Sequence, residues 1–114
     1  MKIEQMQIVT SDGARGEKIL HLKGSLTTHT VFNFQEAVKK EGAATLILDF
    51  TDVPFIDSAG LGSLVGLHIG SRKAMRRLAF VAMNTQVRTL LEMTNVAQLF
   101  PAYNTVEEAE AALG

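Results

Sequence analysis

Asp57-Ser58-Ala59-Gly60-Leu61-Gly62 places an acid and a small hydroxyl residue between an apolar run, Leu46-Ile47-Leu48-Asp49-Phe50, and a long stretch of helical spacing. A serine at such a junction sits in the first turn of the helix, among backbone N–H groups that have no intrahelical partner. That end of a helix favours anions, so it is a place where a phosphate can be added or read. The same position also suits an ordinary cap, Asp57 or Ser58 as the N-cap residue contributing about 1 kcal/mol. On these residues alone both readings stand.

The elements that must position this junction follow from hydrophobic spacing. Ser11-Asp12-Gly13-Ala14-Arg15-Gly16 predicts a hairpin turn between strands at about 3–10 and 17–23. Leu20 and Leu22 alternate with His21 and Lys23, giving one buried and one wet face. Gly24-Ser25-Leu26-Thr27-Thr28 leads into a helix carrying Val31, Phe34 and Val38, with Thr27 able to cap it and Gly42 placed as its C′ residue. The run at about 44–50 predicts a buried central strand. After Ser58, Leu61, Leu64, Val65, His68 and Ile69 share one face of a helix running to about Lys73. Leu78-Ala79-Phe80-Val81-Ala82 predicts another strand, and Asn84 caps a helix with Val87, Leu90, Leu91 and Thr94 on one side. Leu99-Phe100 predicts a short last strand before Pro101. Thr105-Val106-Glu107-Glu108 opens a final helix as a capping box, burying Val106, Ala109 and Leu113. The order ββαβαβα(β)α predicts one α/β domain over residues 1–114, a small mixed sheet of four to five strands with about four helices.

Composition bounds the function classes. With 114 residues, 46% hydrophobic and 20% charged, the chain supports a globular core. A net charge of −1 lacks the basic excess of a general nucleic-acid binder. No cysteine is present, which excludes disulfides and thiolate metal sites. His21, His29 and His68 lack metal-ligand spacing, and no cofactor is expected. Met1-Lys2-Ile3-Glu4-Gln5 is too polar for a signal peptide, and no apolar run approaches the roughly 18 residues of a membrane span. A cytoplasmic protein is the expectation. Ser58 as an enzyme nucleophile is disfavoured: no Gly-x-Ser-x-Gly elbow surrounds it, and no histidine sits at a recognisable triad position.

Ala59, Gly62, Ser63, Gly66 and Gly70 fall opposite Leu61, Leu64 and Val65 on the predicted helix. Each interior glycine costs about 1 kcal/mol relative to alanine. Such a smooth face suits either a docking partner or a tightly packed helix of the same domain. Arg72, Lys73, Arg76 and Arg77 are expected to complement the helix C-terminus in a solvated turn. Met6, Met75, Met83 and Met93 are expected to pack ordinarily.

Leu48-Asp49-Phe50-Thr51-Asp52-Val53-Pro54-Phe55-Ile56-Asp57-Ser58-Ala59-Gly60-Leu61-Gly62 closely resembles the signature of the STAS domain, a family that includes the bacterial anti-sigma factor antagonists. The resemblance extends through Leu22-Lys23-Gly24-Ser25-Leu26 and Val87-Arg88-Thr89-Leu90-Leu91, covering about residues 17–113. It implies the STAS fold and a regulatory, non-enzymatic role. In the family, the serine matching Ser58 is phosphorylated by a partner that is both anti-sigma factor and serine kinase, and a serine phosphatase resets it. By resemblance, the unphosphorylated form binds that partner and frees a sigma factor. The implied partner surface comprises Asp57, Ser58, Ala59, Gly60, Gly62, Ser63 and Gly66, with Thr27, Thr28 and His29 from the preceding loop. The chain departs from the pattern at Ser25 and Thr27, where many members carry an acidic residue and an aspartate, and at Ala59, where serine is frequent. The alternative implied role is a constitutively docked STAS subunit of a stress-signalling scaffold or of a lipid transporter. No phosphate-cradling glycine loop with a lysine is present, so kinase chemistry belongs to the partner.

Overall fold

A computed structural model describes residues 5–113. Five strands form one sheet in the order β1-β2-β3-β4-β5, with ranges Gln7–Asp12, Lys18–Lys23, Thr45–Asp52, Arg77–Val81 and Ala102–Tyr103. β1 pairs antiparallel with β2, and every other pairing is parallel. Parallel neighbours need crossovers, and these are the helices α1 (Val31–Lys40), α2 (Ser58–Lys73) and α3 (Thr85–Met93). A final helix, α4 (Val106–Leu113), closes the fold.

β3 is central, and its residues Leu46, Ile47 and Leu48 are fully buried because both faces of the sheet are covered. On one face Leu20, Leu22, Leu46, Leu48, Phe50, Leu78 and Phe80 pack with Phe34 and Val38 of α1, Leu64 of α2 and Val87 and Leu91 of α3. Phe80 sits edge-on to Phe50 and Phe100, at centroid separations of 6.0 and 5.2 Å. On the other face Ile19, Ile47, Ala79 and Val81 pack against Ala109 of α4. The mixed sheet, its element order and the four helices are those expected from the spacing.

Several local expectations change. The first strand begins at Gln7, while the start predicted for it, residues 3–4, lies outside the described residues. Thr27 does not cap α1; Thr30 holds the N-cap position, and the Thr27 hydroxyl accepts from His29 N–H inside a preceding turn. Gly42 does not take the left-handed conformation after α1, because Glu41 leaves the helix extended. Leu99 ends a short 3₁₀ turn rather than a strand, and the last strand forms beyond Pro101. Thr105 caps α4 by accepting from Glu108 N–H at 3.1 Å, but Glu108 reaches Asn104 N–H instead of closing the box. Met75 and Met93 are exposed, unlike Met6 and Met83, and Ile69 stands half in solvent.

Two glycines of α2 respond differently to a methyl group. A Cβ on Gly60 would lie 2.2 Å from the Leu26 carbonyl oxygen, whereas one on Gly62 meets nothing within 4 Å. Gly60→Ala is therefore expected to destabilise the fold by about 1–3 kcal/mol. Gly62→Ala is expected to be neutral or to stabilise it by up to about 1 kcal/mol. Urea denaturation of both variants checks the pair, and equal effects would contradict the packing described here.

Candidate functional site

The site forms where the connections after β2 and β3 meet at the C-terminal edge of the parallel strands. Gly24 N–H donates to Asp52 O at 3.0 Å, with Gly24 at φ +118, a conformation that glycine adopts without strain. Leu26 N–H then donates to Phe55 O at 3.0 Å, and Asp57 N–H to Leu26 O at 3.1 Å. This short parallel bridge between Leu26 and Ile56 locks the two loops side by side. Both side chains are buried, so the bridge is part of the core.

Asp57 is the N-cap of α2. Its Oδ1 accepts from Gly60 N–H at 2.9 Å, and its Oδ2 accepts from Thr28 N–H at 3.1 Å and from the Thr28 hydroxyl at 3.4 Å. One carboxylate thus caps the helix and holds the turn that carries Thr27, Thr28 and His29. The Gly60 N–H is the chief cause that keeps this carboxyl below its ordinary range; partial burial opposes it, and Thr28 adds to the lowering. Between the two cap functions weighed for Asp57 and Ser58, the capping falls to Asp57. Ser58 is the first helical residue, exposed, and its hydroxyl has no hydrogen-bond partner among the described residues.

Ser58, Gly62, Gly66 and Gly70 recur at the i, i+4 spacing that places residues along one ridge of a helix, and all four are exposed. Added Cβ atoms on Gly62, Gly66 or Gly70 would meet nothing within 4 Å. The glycines therefore do not serve close packing inside the domain. Thr28 and His29 are exposed beside Asp57, and Ala59 is half-buried. Gly60, Ser63 and Thr27 lie beneath the surface: Gly60 against Leu26, Ser63 donating its hydroxyl to Gly60 O at 2.7 Å, and Thr27 within its turn.

Other singled-out residues take structural places. Arg76 donates through Nε to Ala43 O at 3.0 Å and through Nη2 to Glu41 O at 2.8 Å, tying the α1–β3 connection to the end of α2. Arg77 donates to Leu113 O at 2.6 Å, whereas Arg72 and Lys73 occupy the last turn of α2 as expected. His68 packs edge-on to Phe100. His21 joins a serine and an acid other than those of the Ser58 junction. Its Nε2 lies 2.9 Å from Ser11 Oγ and its Nδ1 2.8 Å from Asp49 Oδ2. Burial raises the Asp49 carboxyl, but the Thr51 hydroxyl and N–H together with His21 outweigh it and leave the group below its ordinary range. Ser11 is exposed on the edge strand and the His21 side chain is 40% exposed, so this chain of bonds lies open across three strands. Sequence could not reveal it, because Ser11, His21 and Asp49 meet only through strand register.

Among the described residues no three His, Asp or Glu side chains are grouped to hold a metal ion, and no helix is long and apolar enough to cross a membrane.

The Asp57 carboxylate has a pH signature. A carboxyl lowered in the folded state contributes stability that is fully present above its unfolded value of about 3.9 and lost as pH falls through the lowered folded value. Asp57→Ala is expected to cost about 1 kcal/mol at pH 7. The gap from the wild type should narrow as the pH drops below about 4. Denaturant titrations at pH 7 and pH 3 test this; a gap that stays constant or widens in acid would assign the contribution to something other than the ionised cap.

Comparison with known proteins agrees with this geometry. The STAS domain profile matches residues 5–109. An anti-sigma F factor antagonist of Paenibacillus polymyxa is 28% identical over 94 residues, spanning 79% of this chain and 80% of that protein. The crystal structure of a candidate anti-sigma factor antagonist from Thermotoga maritima superposes with a TM-score of 0.84 at 25% identity, covering 92% of each chain. The Bacillus protein SpoIIAA in its phosphorylated form shares the fold with a TM-score of 0.68 at 20% identity, over 95% of this chain and 100% of that one. Profile, relatives and fold agree that this chain belongs to the STAS domain family.

Proposed function

We propose that this protein is an anti-sigma factor antagonist switched by phosphorylation of Ser58. In this reading the unphosphorylated chain docks an anti-sigma factor that is also a serine kinase, and a sigma factor is released. The kinase transfers the γ-phosphoryl group of ATP to Ser58 Oγ, the hydroxyl proton leaves and ADP departs. A serine phosphatase reverses the modification, and the circuit operates in the cytoplasm. The observation that carries the reading is the Ser58 hydroxyl, exposed and unbonded at the head of an exposed glycine ridge.

The physics favours a switch that acts on the complex. A phosphate adds about −1.5 to −2 charges at the start of α2. The helix N-terminus offsets up to about 1 kcal/mol of that where it is exposed. The neighbouring Asp57 charge is already engaged by N–H donors of Gly60 and Thr28. In a docked interface the same dianion would lose water without a partner, which costs about 3–5 kcal/mol. Micromolar affinity amounts to only about 8 kcal/mol, so such a loss separates bound from free at cellular concentrations. The glycine ridge supports close approach of a partner backbone, since it presents no side chain to hold the partner off.

Incubation with ATP and the cognate anti-sigma kinase is expected to add a single phosphate, which Ser58→Ala abolishes. Ser58→Asp is expected to weaken the complex by about 100-fold or more while leaving the melting temperature within a few degrees. Gly62→Arg should break the same complex without loss of stability, because its site is open. Co-purification with a partner that is unchanged by both Ser58 variants would replace the switch with constitutive docking.

A further inference from the structure

An open groove between α1 and α2, running from Ser63 toward the C-terminal ends of both helices, has a volume of about 480 Å³. That falls in the range of about 300–1,000 Å³ usual for small-ligand sites. Phe34, Val38, Leu67 and Ala74 give it apolar walls, and Gly66 and Gly70 leave one side without side chains. A Cβ at either glycine would meet nothing within 4 Å, so both positions open onto free space in the groove. Each glycine costs the helix about 1 kcal/mol, which argues that the space has a use.

Two further observations define what fits it. Ser71 lines the groove, is 3% exposed, and its hydroxyl has no hydrogen-bond partner among the described residues. A buried hydroxyl without a partner is costly, and a turn about its χ1 would offer it to a ligand acceptor. At the end where α1 and α2 both terminate, Lys39 and Arg76 line the groove, and Lys40, Arg72 and Lys73 occupy the last turns of the two helices. None of these cations forms an ion pair among the described residues. Two helix C-termini contribute about one negative charge between them. Glu41 adds one more and is already bonded to Ala43 N–H. Positive charge therefore remains in excess at one end of an apolar trough.

We infer that this groove binds a carboxylate-headed amphiphile of the long-chain fatty-acid type. The chain lies along Phe34, Val38 and Leu67, and the head meets Ser71 and the Lys39–Arg76 end. About 20 Å of helix separates Ser71 from Ser58 at 1.5 Å per residue, so the head-group end lies away from the phosphorylation site, while Ser63 and Gly66 of the groove are shared with the proposed docking face.

Titration of the full chain with cis-parinaric acid, followed by its fluorescence, is expected to show saturable binding of one molecule per chain with a Kd of about 10 µM or tighter. Gly70→Leu should weaken binding at least about tenfold with an unfolding midpoint that is undiminished or raised, since its side chain enters open space in the groove. Ser71→Ala should weaken it about three- to tenfold without lowering stability, an outcome that a purely structural serine would not produce. The methyl ester should bind less tightly than the acid, and Lys39→Glu should remove that preference. Absence of saturable binding overturns the inference, as does equal affinity of acid and ester, or Gly70→Leu binding as well as the wild type. If parinarate fails to bind and Gly70→Leu instead blocks kinase docking, the groove is a protein-binding face and the inference falls, while the Ser58 reading survives.

Discussion

The carbonyl of Leu26 sets the geometry on which the site depends. It accepts Asp57 N–H at 3.1 Å and stands where a Cβ of residue 60 would otherwise lie. The first turn of α2 is thereby pressed against the loop that follows β2. At this closeness a single carboxylate, that of Asp57, reaches N–H donors on both segments. With the cap supplied by Asp57, the adjacent hydroxyl has no capping work and faces solvent. Glycine at position 60 and exposure at position 58 are thus two consequences of one contact. Separating the loops by the width of a methyl group would cost Asp57 one of its two sets of donors.

That contact is steady because it is anchored at both ends in the core. Leu26 and Ile56 are buried with the residues of β2, β3 and β4, and the aromatic group of Phe50, Phe80 and Phe100 fills the centre beneath them. β3 carries buried residues on both of its faces, so a one-residue slip would exchange the side chains under α1–α3 with those under α4. Register is therefore strongly specified. Loops emerging at the C-terminal edge of such strands inherit fixed starting positions, which suits them to hold a recognition site.

Much of this was legible in the residues, and the failures share a cause. The apolar run of β3 and the Asp57–Ser58 junction carry local signals, periodicity and cap chemistry, and both appear where the spacing placed them. The exposed ridge of α2 was visible as a row of small residues, but its meaning was not. Only the surrounding space distinguishes Gly60, packed on Leu26, from Gly62, open to solvent. The resemblance places Ser63 and Thr27 in the partner surface, but tertiary contacts bury both. The Ser11–His21–Asp49 chain depends on which strands are neighbours and in what register, which no local pattern contains. Thr27 does not reach the N-cap position, because the turn tightens before α1, with Thr30 N–H and Val31 N–H both bonded to Thr27 O, and Thr30 at that position makes no side-chain cap bond.

The departure from an aspartate at Thr27 looks different once its surroundings are known. Thr27 is 9% exposed, and its hydroxyl is taken by His29 N–H. A carboxylate added there would bring a second negative charge beside the turn that Asp57 already holds through Thr28. Its absence lowers the local negative potential at the start of α2. For an incoming phosphate, which brings about −1.5 to −2 charges, that is a reduction in repulsion. Asp57 is the acid adjacent to Ser58 in this chain, and its charge is tied to two loops. A partner approaching the ridge therefore meets the neutral Ser58 hydroxyl and bare glycine backbone beside an acid already bonded to N–H donors. Such a surface can be desolvated at low cost before modification and at high cost after it. Under the modification proposed above, the contrast would need no change in the fold, because Ser58 and the glycine ridge lie on the exposed face of α2.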